Sequence, residues 1–149
     1  GSKLQAASSS NTGTINYYFE GTFTPAIGTT GTNYSSVTYS VQSGRYTRIG
    51  NNVCFSIFVR WTNAAGSPTG AITVGTLPHA AALVSVFHVH TVNIDVPASS
   101  VVLTGVVETG ASIITFVVGR DATTDASVDP SLNSGATTRS IYVTGCYQV

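Results

Sequence analysis

The chain is expected to be all-β: an antiparallel sandwich or barrel of about eight strands in one domain. Three observations predict this. In the run Val53–Trp61, positions Val53, Phe55, Ile57, Val59 and Trp61 are apolar, while Cys54, Ser56, Phe58 and Arg60 are mixed. Successive strand side chains point to opposite faces, so this run carries one dry face and one half-dry face. Ser, Thr, Gly and Val dominate and Met is absent, which is the composition of strands and turns. Turn-forming clusters recur at the spacing of short strands, and no segment shows a helical period or a solenoid repeat.

The elements follow in order. Residues 1–14 are small and polar without a period, and read as a flexible linker whose Gly1-Ser2 is a remnant of cloning. Residues 15–149 form the single domain. Ile15 to Thr24 is an aromatic-rich strand, ended by Pro25, which marks an edge or a bend. Ala26 to Ser36 reads as a Gly/Thr/Asn loop. A central meander runs from Val37 to Thr62, with chain reversals at Gly44 and at Gly50-Asn51-Asn52. Asn63 to Gly70 is a loop, and Ala71 to Val74 a short strand stopped by Gly75 and Pro78. Ala80 to Asp95 is a long strand. Val101 to Val107 and Ile113 to Val118 make a hairpin around Thr109-Gly110. Residues 119–136 form a long loop, and Thr137 to Gln148 is the last strand.

Composition narrows the function. At 149 residues a chain buries roughly 68–70% of its unfolded surface, enough for a core without metals. Only 8% of residues are charged, against about 25% ordinarily, and net charge is zero. No basic patch is present, so nucleic acid is a poor partner. The apolar runs fall far short of the ~18 residues of a membrane span, so no membrane insertion is expected. Zero net charge with few charges suits a chain partly covered by other subunits. The strands agree. Phe87 and Val89 oppose Val84, Val86 and Val92, and Val101, Leu103 and Val107 oppose Val102 and Val106. Strands apolar on both faces need cover on both faces, and contact between copies supplies it.

Cys54 and Cys146 both point away from the better apolar face. They are expected to be free, buried thiols acting as small hydrophobes. A disulfide between them requires neighbouring strands and a short Cα separation. Catalysis is not expected. Glu20, Asp95 and Glu108 are scattered, whereas glycoside hydrolysis needs two carboxylates at a defined separation. Nucleophile-elbow, P-loop and zincin motifs are missing. Asp121, Asp125 and Asp129 share one loop, but their spacing fits no calcium loop, and a solvated acidic loop is the better reading. Trp61 shares the core face and is expected to pack there.

Four stretches carry a resemblance. They are Glu20-Gly21-Thr22-Phe23-Thr24-Pro25, Tyr39 to Val53 (YSVQSGRYTRIGNNV), Ile72 to Pro78 (ITVGTLP), and Ile141 to Tyr147 (IYVTGCY). In this order they resemble the C-terminal head domains of tailed-bacteriophage tail fibres and tailspikes. Phe23 stands where that pattern has Trp, and Thr76 where Gly is common. The resemblance covers most of Phe19 to the end, except residues 80–136. It implies a jelly-roll-like β-sandwich that forms a homotrimer at the distal tip of a virion fibre. It also implies attachment to a host-surface glycan or protein, without chemistry of its own. A structural cap that trimerises and ends the fibre is the alternative, and a small hydrolytic domain the remoter one.

The ligand-binding candidates are then Tyr34, a loop aromatic able to stack on a sugar, and Arg120, Asp121, Asp125 and Asn133 of the long loop. Loops of that length in a compact domain are often functional. No cofactor is expected. The single metal candidate is His88 with His90, two imidazoles on one strand face. Three such pairs on a threefold axis would offer six nitrogens to a transition metal. The plainer reading is two ordinary, hydrogen-bonded strand histidines.

Overall fold

The computed structural model describes residues 17–94, 96, 100–120, 126–128 and 138–149. Their regular structure is all β: β1 (Tyr18–Phe23), β2 (Ala26–Thr29), β3 (Ser36–Ile49), β4 (Asn52–Ala65), β5 (Ile72–Gly75), β6 (Ser85–Val92), β7 (Ser100–Val107), β8 (Ile113–Arg120), β9 (Ala126–Ser127) and β10 (Arg139–Gln148). These strands join one antiparallel sheet in the order β1-β3-β4-β10-β6-β7-β8-β5-β2, with β9 on β8. The all-β, antiparallel expectation holds, and the described strands follow a single hydrogen-bonded path.

That path must curl. β1 and β2 end it on opposite sides, yet only Thr24 and Pro25 separate them in the chain. Laid flat, nine strands would hold the two edges about 38 Å apart. The connection from Phe23 to Ala26 reaches at most about 11 Å. The sheet therefore rolls until its ends meet, and hydrogen bonds pin the seam. The backbone N–H of Ile27 donates to Tyr39 Oη at 2.9 Å, Gln42 Nε2 to the Pro25 carbonyl at 3.0 Å, and Thr76 Oγ1 to the Thr24 carbonyl at 3.1 Å. Pro25 acts as the expected bend, and the strand on each side of it is an edge.

The inside of the curl is the core. Val53, Phe55, Ile57, Val59 and Trp61 of β4 are all buried, as their alternation predicts. Ile141, Val143 and Tyr147 of β10 meet them from one side, and Phe87 and Val89 of β6 lie beyond. Val107, Ile114, Phe116, Ile72 and Val74 close the far wall. Three rings lock the centre. Phe55 and Phe87 meet edge to face at 5.0 Å, and Tyr147 touches both. Phe87 lies across Gly145, where an added Cβ would come within 2.3 Å of its ring. Gly145→Ala is therefore expected to destabilise by about 1–3 kcal/mol through overpacking. An unchanged denaturant midpoint would contradict this.

Several boundaries differ from expectation. Gly44 is not a turn residue. β3 runs straight through it, and glycine is needed because the Phe23 ring sits 2.7 Å from where a Cβ would be. The reversals at Gly50, with φ 58°, and Gly110, with φ 79°, are as expected. β2 lies inside what reads as a loop. Its one large apolar side chain, Ile27, is buried through pairing with β5. Of the strand expected over 80–95, Ser85–Val92 is formed among the described residues. Of the long loop, Val128 is buried and its carbonyl accepts from the Ile72 N–H at 3.2 Å.

The cysteines also require correction. They are not free: Cys54 and Cys146 face each other across the β4–β10 ladder, form a disulfide, and have Cα atoms 4.0 Å apart. Parity correctly placed both on the outer face. The adjacency of strands 92 residues apart is what local pattern does not carry.

Candidate binding face

The expected site residues do not converge. Tyr34 sits in the β2–β3 loop, half-buried and packed against the core. Arg120 ends β8, while Asp121, Asp125 and Asn133, with the neighbouring Asp129, lie outside the described residues. His88 and His90 alternate outward on β6, between the buried Phe87 and Val89. Among the described residues no group of three or more His, Cys, Asp or Glu side chains is placed to hold a metal within one chain.

What the sheet does assemble is its outer face. Pairing aligns Phe58 of β4 with Tyr142 of β10 and His90 of β6. Phe58 and Tyr142 stack at 4.5 Å with rings 7° from parallel, and His90 meets Tyr142 at 5.9 Å. The Arg60 guanidinium lies 5.0 Å over the Phe58 ring. The result is a cation–aromatic–imidazole ladder across three adjacent strands. Beside it, Val86 and Val102 are 64% and 53% exposed. The two-sided apolar strands are thus observed, with their second side facing solvent in the single chain.

A second feature lies on the same outer face near β1. An open cleft of about 520 Å³ crosses β1, β3 and β4. Two rows of side chains define it by register. Thr22, Arg45 and Ser56 form one, and Glu20, Thr47 and Cys54 the other. The Tyr18 hydroxyl donates to the Glu20 carboxylate. Cys146, paired with Cys54, fastens β4 to β10 at the cleft's margin. None of these residues was a ligand-binding expectation. The available signal was alternating polar residues in three runs, Glu20/Thr22, Arg45/Thr47 and Cys54/Ser56, which only strand pairing turns into one surface.

The inner side of β1 and β3 is aromatic. Tyr46 meets Phe19 at 5.9 Å and the His79 ring edge-on at 5.8 Å. Tyr147 donates its hydroxyl to the His79 carbonyl at 2.9 Å. Burial pushes the Tyr147 phenol up to about 12, from 10.0. Burial, and secondarily Arg48, hold the His79 imidazole below its ordinary value. The sign for Tyr147 is set by the unfolded chain, which loses its proton first. Its contribution is complete below pH 10.0 and disappears as pH rises toward about 12. Stability should fall through that interval, and Tyr147→Phe should flatten the decline. An equally steep decline in the variant would contradict the assignment.

No protein-family model matches the chain, and no curated protein matches it. Among solved structures, the crystal structure of the Dettilon tailspike protein is similar, with a TM-score of 0.65 and 19% sequence identity. The similarity covers 88% of this chain and 24% of that one, so this chain spans about a quarter of the tailspike's length. At this identity the likeness is one of fold, and the curled antiparallel sheet is shared.

Proposed function

We propose that this chain is the non-catalytic, receptor-binding head of a phage fibre, assembled as a homotrimer at the distal tip of the virion and attaching to a host-surface glycan or protein. The observation that carries this reading is the outer face of β4, β10, β6 and β7. It exposes valines, a stacked aromatic pair and two histidines on a rigid sheet. Such a face suits contact with copies of itself. The fold shared with a tailspike supports the setting, and a jelly-roll-related origin for the curled sheet belongs to the same reading. The Cys54–Cys146 disulfide suits an extracellular particle, since disulfides persist in oxidising surroundings. Two of the carboxylates are among the described residues. Glu20 stands on β1 and Glu108 just after β7, at separate places along the sheet path.

Competition for adsorption tests the reading. Purified chain, added in excess, should block attachment of the parent phage to its host. Unimpeded adsorption at saturating chain would leave the structural cap, which the same exposed face also favours. A shared metal at His88 and His90 requires several copies, so the mass in solution is to be measured with and without chelator.

A further inference from the structure

We infer that the cleft across β1, β3 and β4 is a binding site for a neutral saccharide. The inference rests on the attachment reading above and gives it a place and a ligand class.

The lining selects the ligand. The Glu20 carboxylate can only accept hydrogen bonds and the Arg45 guanidinium can only donate them. The hydroxyls of Thr22, Thr47 and Ser56 do both. A ligand using all five must itself donate and accept at closely spaced positions, as the hydroxyls of a sugar ring do. The two charges oppose each other within one cleft, so neither a polyanion nor a polycation gains from the site as a whole. A nucleobase would need a ring to stack on. Tyr46 does not offer one, because its ring lies against Gly21 and packs with Phe19, Phe23 and His79. An apolar ligand would leave the carboxylate and guanidinium unsatisfied.

Geometry agrees. Three strands at about 4.8 Å spacing give each row a length of about 10 Å, and the rows lie about 7 Å apart along the strands. That polar grid matches the footprint of a short stretch of saccharide. The volume of about 520 Å³ falls within the ~300–1,000 Å³ of small-molecule sites. The donors and acceptors project from paired strands, with the disulfide joining β4 to its other neighbour, so the grid exists before the ligand arrives. The exposed charges imply weak binding per copy, which several copies on one particle would multiply.

The test is an array of neutral and acidic oligosaccharides probed with the intact chain. The strongest neutral compound is then titrated against isotopically labelled chain by NMR. Binding to neutral compounds is expected, with shifts confined to β1, β3 and β4. The double variant Thr22→Val/Ser56→Val removes two hydroxyls while keeping strand-compatible side chains. It should weaken binding roughly tenfold and leave the melting temperature in place, whereas Thr115→Val on β8 should change neither. Binding restricted to acidic compounds overturns the ligand class. Neutral binding that the double variant leaves intact overturns the site. Absence of any saccharide binding overturns the inference altogether. If that same preparation still blocks phage adsorption, the attachment reading stands and only the cleft's role falls; if it does not, both fall.

Discussion

Breaking the Cys54–Cys146 bond should produce the largest stability loss available to a conservative change. The bond joins residues 92 apart in sequence. Chain-entropy estimates give about 4–5 kcal/mol for a loop near that length, and removal of native disulfides typically costs about 2–5 kcal/mol. For a domain of this size each kcal/mol moves the melting temperature by roughly 2–4 °C. The reduced chain, or the Cys54→Ala/Cys146→Ala variant, is therefore expected to melt about 10–15 °C lower. The fold should survive, because the thiols sit on the outer face and the β4–β10 ladder has ten paired positions of its own. Thermal unfolding with and without reductant measures the shift. A thiol assay on the native chain gives an independent check: no titratable thiol is expected, and two per chain would dismiss the pairing.

The same pair of cysteines shows where sequence is informative and where it stops. Period-two alternation is local, so the buried face of Val53 to Trp61 and the outward parity of both thiols could be read directly. The β7–β8 hairpin was legible for a similar reason, since Thr109-Gly110 is a compact turn signal between two β-branched runs. Pairing between distant strands is different. Nothing near Cys54 records that Cys146 will lie opposite. Gly44 illustrates a second limit: a glycine that yields to a neighbouring ring looks, in sequence, the same as a glycine that turns the chain. Ile27 illustrates a third. A four-residue strand with one large apolar side chain carries no period, and becomes a strand because β5 offers it an edge. The cleft was missed on the first ground. Its polar rows are drawn from β1, β3 and β4, and each row is ordinary until register aligns them. Of the residues expected to bind ligand, Tyr34 is engaged in packing, Arg120 ends β8, and Asp121, Asp125 and Asn133 lie outside the described residues.

Placing charge on the exposed apolar face should dissolve the proposed assembly while leaving each copy folded. Val86 and Val102 flank the Phe58–Tyr142–His90 ladder and are mostly exposed in the single chain. Substituting both to Lys removes no core contact. In an assembly, however, it forfeits about 1.5 kcal/mol or more of apolar burial per valine and forces unpaired ammonium groups into a desolvated contact. The first effect alone exceeds a hundredfold in association constant. Outward residues of β10, β6 and β7 include no Asp, Glu, Lys or Arg among those described, with Arg60 on the β4 border. Identical faces can therefore meet without like-charge repulsion, until the lysines supply it. Light scattering on the unaltered chain should give about three times 15.4 kDa, and the Val86→Lys/Val102→Lys variant about one copy. Thr38→Lys, on β3, serves as a charge control that should leave the mass unchanged. A chelator should lower the mass only if His88 and His90 share a metal between copies. A parent chain that already runs as a single copy at micromolar concentration would mean that these valines tolerate water, and the case for a trimeric head would lose its physical basis.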